Sequence, residues 1–307
     1  MGLIERVAAT PDGNDPANNA ARTSNTDGAD RKPDAPRGPA FTIDFDKLAA
    51  EGVFNPKNAP KSQLLELRAL KRNLLKRTGL LHGAGRGRRG ARRSGRQKNI
   101  VLITSTRPGE GKTFTAVNLA LSFAFEDRQP VLLIDGDVLR PKVRSYFDLP
   151  RGPGLTDRLM DPKIPVASIA WRTDQAPLRI LSEGRREGGA SDLFASEAAT
   201  SFFAGLSTAS PDRLIIIDAP PMLATTEAFA LAQNADEVAF VVEADATPEP
   251  AVAVALDELL EVNPNVSLVL NRCLVPGGGA HYGSYESYDR TAPLANQSAA
   301  QAAAEKE

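Results

Sequence analysis

The stretch that most constrains this chain runs from Asn99 to Asn118 and reads Asn-Ile-Val-Leu-Ile-Thr-Ser-Thr-Arg-Pro-Gly-Glu-Gly-Lys-Thr-Phe-Thr-Ala-Val-Asn. Ile100 to Ile103 is a short apolar run, rich in β-branched residues, of the kind a strand buried on both faces carries. A tight loop from Ser105 to Gly111 follows, and the pattern predicts a helix opening near Lys112. Glycines at 109 and 111 let backbone N–H groups turn inward on a ligand, and the first helix turn adds unpaired donors and the positive end of its dipole. Lys112 has the reach for outer phosphates, and the Thr113 hydroxyl suits Mg²⁺ ligation. The usual first glycine of G-x-x-x-x-G-K-[ST] is Thr106 here. With its strand context and the acidic motifs below, the loop reads as a nucleotide site. Its candidate contacts are Arg107, Pro108, Gly109, Glu110, Gly111, Lys112, Thr113 and Phe114.

Two further apolar runs end in carboxylates: Val-Leu-Leu-Ile-Asp135-Gly-Asp137-Val-Leu-Arg140-Pro141 and Leu-Ile-Ile-Ile-Asp218-Ala-Pro220-Pro221. A lone Asp after a strand is as often a turn residue or a helix cap as a functional group. Both of these, however, are expected at the sheet edge that carries the phosphate loop. Mg²⁺ takes oxygen ligands and keeps several waters, so one carboxylate with Thr113 and phosphate oxygens suffices. Asp135 and Asp218 are therefore the candidates around the metal. Asp137, two residues further on, is placed to accept a proton from an incoming hydroxyl.

Further strands are expected at Leu178–Leu181, Val238–Val242 and Val266–Leu270, with helices over about 191–206, 224–233 and 248–262. Such alternation predicts an α/β fold, a doubly wound, mostly parallel sheet with helices on both faces. Ligands then lie outside the strands' carboxyl ends.

The division expected along the chain is a mostly disordered N-terminal region with short helices (1–60), an amphipathic helix (61–81), a Gly/Arg-rich linker (82–98), the nucleotide-binding domain (99–275) and a flexible tail (276–307). Residues 10–40 hold almost no large apolar groups, too few to offset ordering entropy. In the helix, Leu64, Leu67, Leu70, Leu74 and Leu75 fall mostly on one face. That face packs either on its own domain or on a second subunit. Residues 82–98 carry six Arg and one Lys with no acidic group. They read as a solvated linker or as a contact for anionic lipid or polyanion. No aromatic residue is interleaved for base stacking, so no specific nucleic acid is expected.

A single cysteine, Cys273, excludes a disulfide framework and any multi-thiolate metal site. No apolar run approaches the roughly 18 residues of a membrane helix, and the N-terminus lacks a signal core, so a cytoplasmic protein is expected. Of four tyrosines, Tyr282, Tyr285 and Tyr288 lie in a stretch too rich in glycine and small polar residues to fold. They form either an interaction tail or a substrate for phosphoryl transfer.

Together, the loop, the Asp-x-Asp and Asp-x-Pro-Pro motifs and the C-terminal tyrosines resemble the bacterial tyrosine kinases of polysaccharide export, P-loop NTPases by fold. The likeness runs from about residue 61 to 288. Leu3-Ile4-Glu5, Ala224-Thr-Thr-Glu-Ala228 and Val269-Leu-Asn-Arg272 look like the exosortase-associated subgroup. The resemblance implies that Lys112 and the loop hold ATP, that Thr113 and the acidic residues manage Mg²⁺, and that Asp137 is the base. It implies that Lys112, Asp137 and Asp218 are catalytic, and that Asn271 and Arg272 meet the adenine. It also implies autophosphorylation of the tyrosines between subunits of a ring, with Glu66, Arg68 and Arg72 at the contact. A chain-length-determinant membrane protein would activate the kinase at the inner membrane, and a phosphotyrosine phosphatase would reverse it. Three positions depart from the family pattern. Leu139 stands where Arg is usual, Ala69 takes the middle place of Glu-x-x-Arg-x-x-Arg, and Glu227 replaces an Asp after the prolines.

Two other readings use the same fold. A partitioning or positioning ATPase usually shows a signature lysine at the place of Arg107, and has no use for a tyrosine cluster. A nucleotide-binding scaffold would bind ATP without turnover.

Overall fold

A computed structural model describes residues 38–78, 98–185 and 189–273. The segment 1–37, nearly all of the Gly/Arg-rich stretch, and the tail with Tyr282, Tyr285 and Tyr288 lie outside the described residues.

Seven strands form one sheet in the order β3-β4-β2-β5-β1-β6-β7. They are β1 (Ile100–Ser105), β2 (Val131–Asp135), β3 (Trp171–Arg172), β4 (Leu178–Leu181), β5 (Leu214–Asp218), β6 (Glu237–Glu243) and β7 (Val266–Asn271). All neighbours run parallel except β3, which pairs antiparallel with β4. The central strands β1, β2 and β5 are buried at every residue, as their unbroken apolar runs require.

Strand side chains alternate between two cores. Val101, Ile103, Leu133 and Ile216 point to one face, under α1 (Phe45–Ala50), α2 (Lys61–Thr78) and α3 (Lys112–Glu126). Ile100, Leu102, Leu132 and Ile217 point to the other. There they meet α7 (Ala190–Ala195), α8 (Glu197–Ala209), α9 (Glu227–Ala232) and α10 (Glu249–Val262). Three short helices, α4 (Val143–Tyr146), α5 (Leu155–Met160) and α6 (Val166–Ile169), occupy the β2–β3 connection.

Two features differ from the sequence expectation. The N-terminal region, read as mostly disordered over 1–60, is packed where it is described. Ile43, Leu48, Val53 and Phe54 are buried in the first core. Asn118 of α3, itself buried, accepts a hydrogen bond from the Phe54 N–H at 2.8 Å. Ala40 bridges to Arg172 at the sheet's edge. Six large apolar side chains within 41–54 supply the burial that residues 10–40 lack. The helix expected over 191–206 is two helices broken at Ser196, whose hydroxyl accepts from the Ala199 N–H at 3.2 Å and caps α8. Serine's short side chain competes for helix N–H groups and so starts a new helix rather than continuing the old one.

Candidate functional site

The parallel register sets the corner. Asp218, at the end of β5, lies opposite Ile103 of β1 on one side and Asp135 of β2 on the other. Two residues past Ile103, β1 gives way to the loop. The segment after Asp218 runs on beside that loop: Met222 N–H donates to Ser105 O at 2.8 Å and Leu223 N–H to Thr106 O at 3.2 Å. Thr104 Oγ1 donates to Pro220 O at 2.6 Å. Thr106 is buried there, with its hydroxyl unpartnered.

The loop holds its shape through two glycines in the left-handed region, Gly109 at φ 97° and Gly111 at φ 96°. At Gly111 a Cβ would also fall 2.1 Å from Asn271 Nδ2, so a larger residue would displace the Asn271 amide as well as strain the backbone. Gly111 is the N-cap of α3 and brings no capping side chain, which leaves the first turn facing the loop's hollow.

Into that hollow project one cation and several oxygens. Lys112 Nζ lies 2.8 Å from Asp137 Oδ2 and 4.0 Å from Asp218 Oδ1. Thr113 Oγ1 donates to Asp218 Oδ2 at 2.6 Å. Asp218 Oδ1 is fully buried and accepts no hydrogen bond. The Asp135 oxygens are turned onto their own loop, accepting from Asp137 N–H at 3.2 Å and Val143 N–H at 3.0 Å. Asp137 Oδ1 accepts from Arg140 N–H at 2.9 Å.

Crowded carboxylates in a dry corner perturb one another. Burial raises Asp218 to about 6, although Lys112, the Thr113 hydrogen bond and Lys142 pull it down while Asp137 pushes it up. Burial and then Asp218 hold Asp135 well above the usual carboxylate range, against the Val143 hydrogen bond. For Lys112, burial alone would lower the ammonium. The carboxylates of Asp218, Asp137 and Asp135 outweigh it, so the group is raised.

A cavity of about 710 Å³ opens over this corner, a size suited to a small-molecule ligand. Pro108, Gly109, Gly111, Lys112, Thr113 and Phe114 line it, together with Asp137, Leu139, Arg140, Asn271 and Arg272. Arg272 sits at φ 57°, a left-handed conformation uncommon outside glycine, and pairs with Glu243 at 2.7 Å. Glu51, Lys142, Tyr146 and Thr225 also line the cavity. Sequence reasoning missed them, because each comes from an irregular or short element with no periodicity to mark it. The Tyr146 hydroxyl is raised by burial, then by Glu51 and Asp218, with Lys112 opposing.

The donor set fits Mg²⁺. Thr113 and Asp218 present hard oxygens, one of them buried and unclaimed. Among the described residues, no group of three or more His, Cys, Asp and Glu side chains would hold a metal by itself, so phosphate and water oxygens must complete the shell.

The other expected contact residues lie on α2. Glu66 and Arg72 are exposed, whereas Arg68 is engaged within the chain by Glu126 at 3.0 Å.

No protein-family model matches the chain. Curated proteins do. Tyrosine-protein kinase YwqD of Bacillus subtilis is 34% identical over 164 residues, which cover 53% of this chain and 68% of that protein. The putative tyrosine-protein kinase CapB of Staphylococcus aureus is 28% identical over 186 residues, covering 60% of this chain and 80% of CapB. The tyrosine-protein kinase ptk of Acinetobacter johnsonii is 31% identical over 140 residues, but these are 46% of this chain and only 19% of that longer protein. Among solved structures, the VpsO kinase domain is 30% identical with a TM-score of 0.55, covering 69% of this chain and 98% of that one. The kinase domain of the Escherichia coli tyrosine kinase ETK shares the fold at a TM-score of 0.61 and 23% identity, covering 80% of this chain and 86% of its own. On the YwqD and VpsO matches, this chain belongs to the family of bacterial tyrosine-protein kinases.

Proposed function

We propose that the chain is an ATP-dependent tyrosine autokinase whose acceptors are Tyr282, Tyr285 and Tyr288 of a neighbouring copy, and which regulates exopolysaccharide synthesis and export. The observation that carries this reading is one corner of the sheet. There Lys112, Thr113, Asp137 and Asp218 converge within 4.0 Å contacts on a cavity floored by a glycine loop.

Each residue has a separate task. Gly109 and Gly111 give the phosphates access to the loop backbone, and Lys112 neutralises their outer charge. Thr113 and Asp218 would hold Mg²⁺, with the Asp135 carboxylate accepting from the Asp137 and Val143 N–H groups beside them. Mg²⁺, when bound, supplies charge neutralisation and orientation of the phosphate oxygens. Asp137 is the base, and its pairing with Lys112 at 2.8 Å gives that assignment a condition. The carboxylate accepts a tyrosine proton readily only once the ammonium is drawn toward phosphate. Asn271 and Arg272 bound the base end.

The same reading assigns a membrane-embedded chain-length determinant as activator, a phosphatase as antagonist, and a place on the cytoplasmic side of the inner membrane. No helix among the described residues is long and apolar enough to cross a membrane.

The test is mass spectrometry of purified protein after incubation with Mg-ATP, with the partner's cytoplasmic segment added in one arm. Phosphate on the three tyrosines, absent in Lys112→Met and in the variant with all three changed to Phe, is the expected result. Phosphotyrosine persisting in Lys112→Met, free of other kinases, refutes the site.

A further inference from the structure

Between the two glycines of the loop stands one side chain, Glu110, and it does not face the cavity. It is 3% exposed. Its Oε2 accepts from the Arg107 N–H at 2.8 Å, closing the loop on itself. Its Oε1 accepts from Thr247 Oγ1 at 2.6 Å, in the connection between β6 and α10. Its backbone carbonyl accepts from Asn271 Nδ2 at 2.9 Å.

The contacts continue beyond it. Thr247 Oγ1 in turn accepts from the Glu243 N–H at 3.2 Å, and the Glu243 carboxylate pairs with Arg272 at 2.7 Å. Ala244 N–H donates to Asn271 O at 2.9 Å, so the ends of β6 and β7 are tied as well. One continuous set of hydrogen bonds and an ion pair thus runs from the phosphate loop to Asn271 and Arg272, two further residues that line the cavity.

A carboxylate beside a phosphate site is electrostatically adverse, since like charges repel across low dielectric. What it offers in return is bond strength and span. Charge-assisted hydrogen bonds are about twice as strong as neutral ones. A loop with two left-handed glycines has the most conformational freedom to lose on ordering. Anchored at both carboxylate oxygens, it has less of that freedom left to lose when ligand arrives, and how much remains depends on the anchors holding.

We propose that Glu110 and Thr247 are positioning residues that couple the base end of the nucleotide site to its phosphate end. Settling a base against Asn271 and Arg272 then stiffens the loop, and binding of triphosphate and base becomes one event. This rests on the nucleotide-site reading above and adds to it a source of preference for nucleotide over bare polyphosphate.

The experiment compares binding of Mg-ATP and of magnesium tripolyphosphate, which lacks a base, by calorimetry on the full chain. Thr247→Val keeps the side chain's shape while leaving Glu110 Oε1 and the Glu243 N–H without their partner. It is expected to weaken Mg-ATP at least fivefold more than tripolyphosphate, with Thr247→Ser restoring the wild-type ratio. Equal losses for the two ligands, or no loss for either, overturn the coupling. A purely structural role would move both affinities together. Should Thr247→Val fail to fold, Glu110→Gln, which keeps one acceptor and the volume, must show the same selective loss. Wild-type protein that binds neither ligand instead refutes the nucleotide site itself, a result distinct from equal losses.

Discussion

Asp218 is the residue on which the corner turns, since it touches Thr113 and stands 4.0 Å from Lys112. Its raised value, about 6, has a thermodynamic consequence. The unfolded carboxyl releases its proton near 3.8, so between that pH and about 6 the folded state binds more protons than the unfolded one. Stability from this group therefore falls as pH rises through that window, and above about 6 the fold carries a buried ionised carboxylate. Asp218→Asn keeps an acceptor for Thr113 and removes the charge. In ligand-free protein it is expected to raise the melting midpoint by about 2–6 °C near pH 8 and to give little gain near pH 4.5. Scanning calorimetry at the two pH values checks this, and an unchanged difference between them would contradict the assignment. The gain in stability should come with lost phosphoryl transfer, the usual relation between a strained site and its function.

At the scale of elements, α3 is held from two directions. Its loop end belongs to the site, and its outer face carries the N-terminal strap and α2. The strap's anchor is Phe54, fully buried, beside the hydrogen bond to Asn118. Phe54→Ala is expected to cost about 3–5 kcal/mol and to lower the midpoint by about 6–15 °C. A loss under about 1 kcal/mol would mean the strap is not part of the fold. On α2, Lys71 is buried and meets Glu126 at 2.7 Å and Asp127 at 2.7 Å. Burial pushes the Glu126 carboxyl up, but hydrogen bonds from Lys71 and Ser122 and the Lys71 charge outweigh it and hold the group below its ordinary range. That clamp is present above the unfolded value and is lost as pH falls through the folded one.

For the whole molecule, the formal net charge of −1 says little, because it sums an unbalanced basic stretch at 82–98 with charges elsewhere, several of them held in ion pairs among the described residues. The surface of α2 left over after those pairs, Glu66 and Arg72, is exposed and belongs to the proposed ring contact. Arg68 is already spent on Glu126, so the ring reading now leans on the other two. Reversing both charges, Glu66→Arg with Arg72→Glu, is expected to leave a complementary pair and hence the assembly, while either change alone should shift it toward monomer. Light scattering on size-separated protein decides this, and single variants of unchanged mass would remove α2 from the contact. β7 forms an edge of the sheet with Leu268 63% and Leu270 62% exposed.

The apolar runs at 100–103, 131–134 and 214–217 and the glycines at 109 and 111 were enough to read a parallel sheet with a loop at its centre. Period and steric demand are properties of a local stretch, so they survive without knowledge of the rest. Ser196 was misjudged because an N-cap and a helix interior offer the same residue, and only the backbone path distinguishes them. Burial of the strap was missed because six apolar residues gain nothing until α3 presents a surface to meet them. The order β2-β5-β1, which sets Asp135, Asp218 and the loop side by side, arises from long-range pairing that no local pattern encodes. The same holds for Glu110 reaching Thr247 across 137 positions of sequence. By itself the chain's sequence determined which segments become strands and which residues can bear phosphate chemistry. Tertiary structure alone decided which of them meet, since burial, hydrogen bonds and shifted proton affinities exist only between groups that the fold has brought into contact.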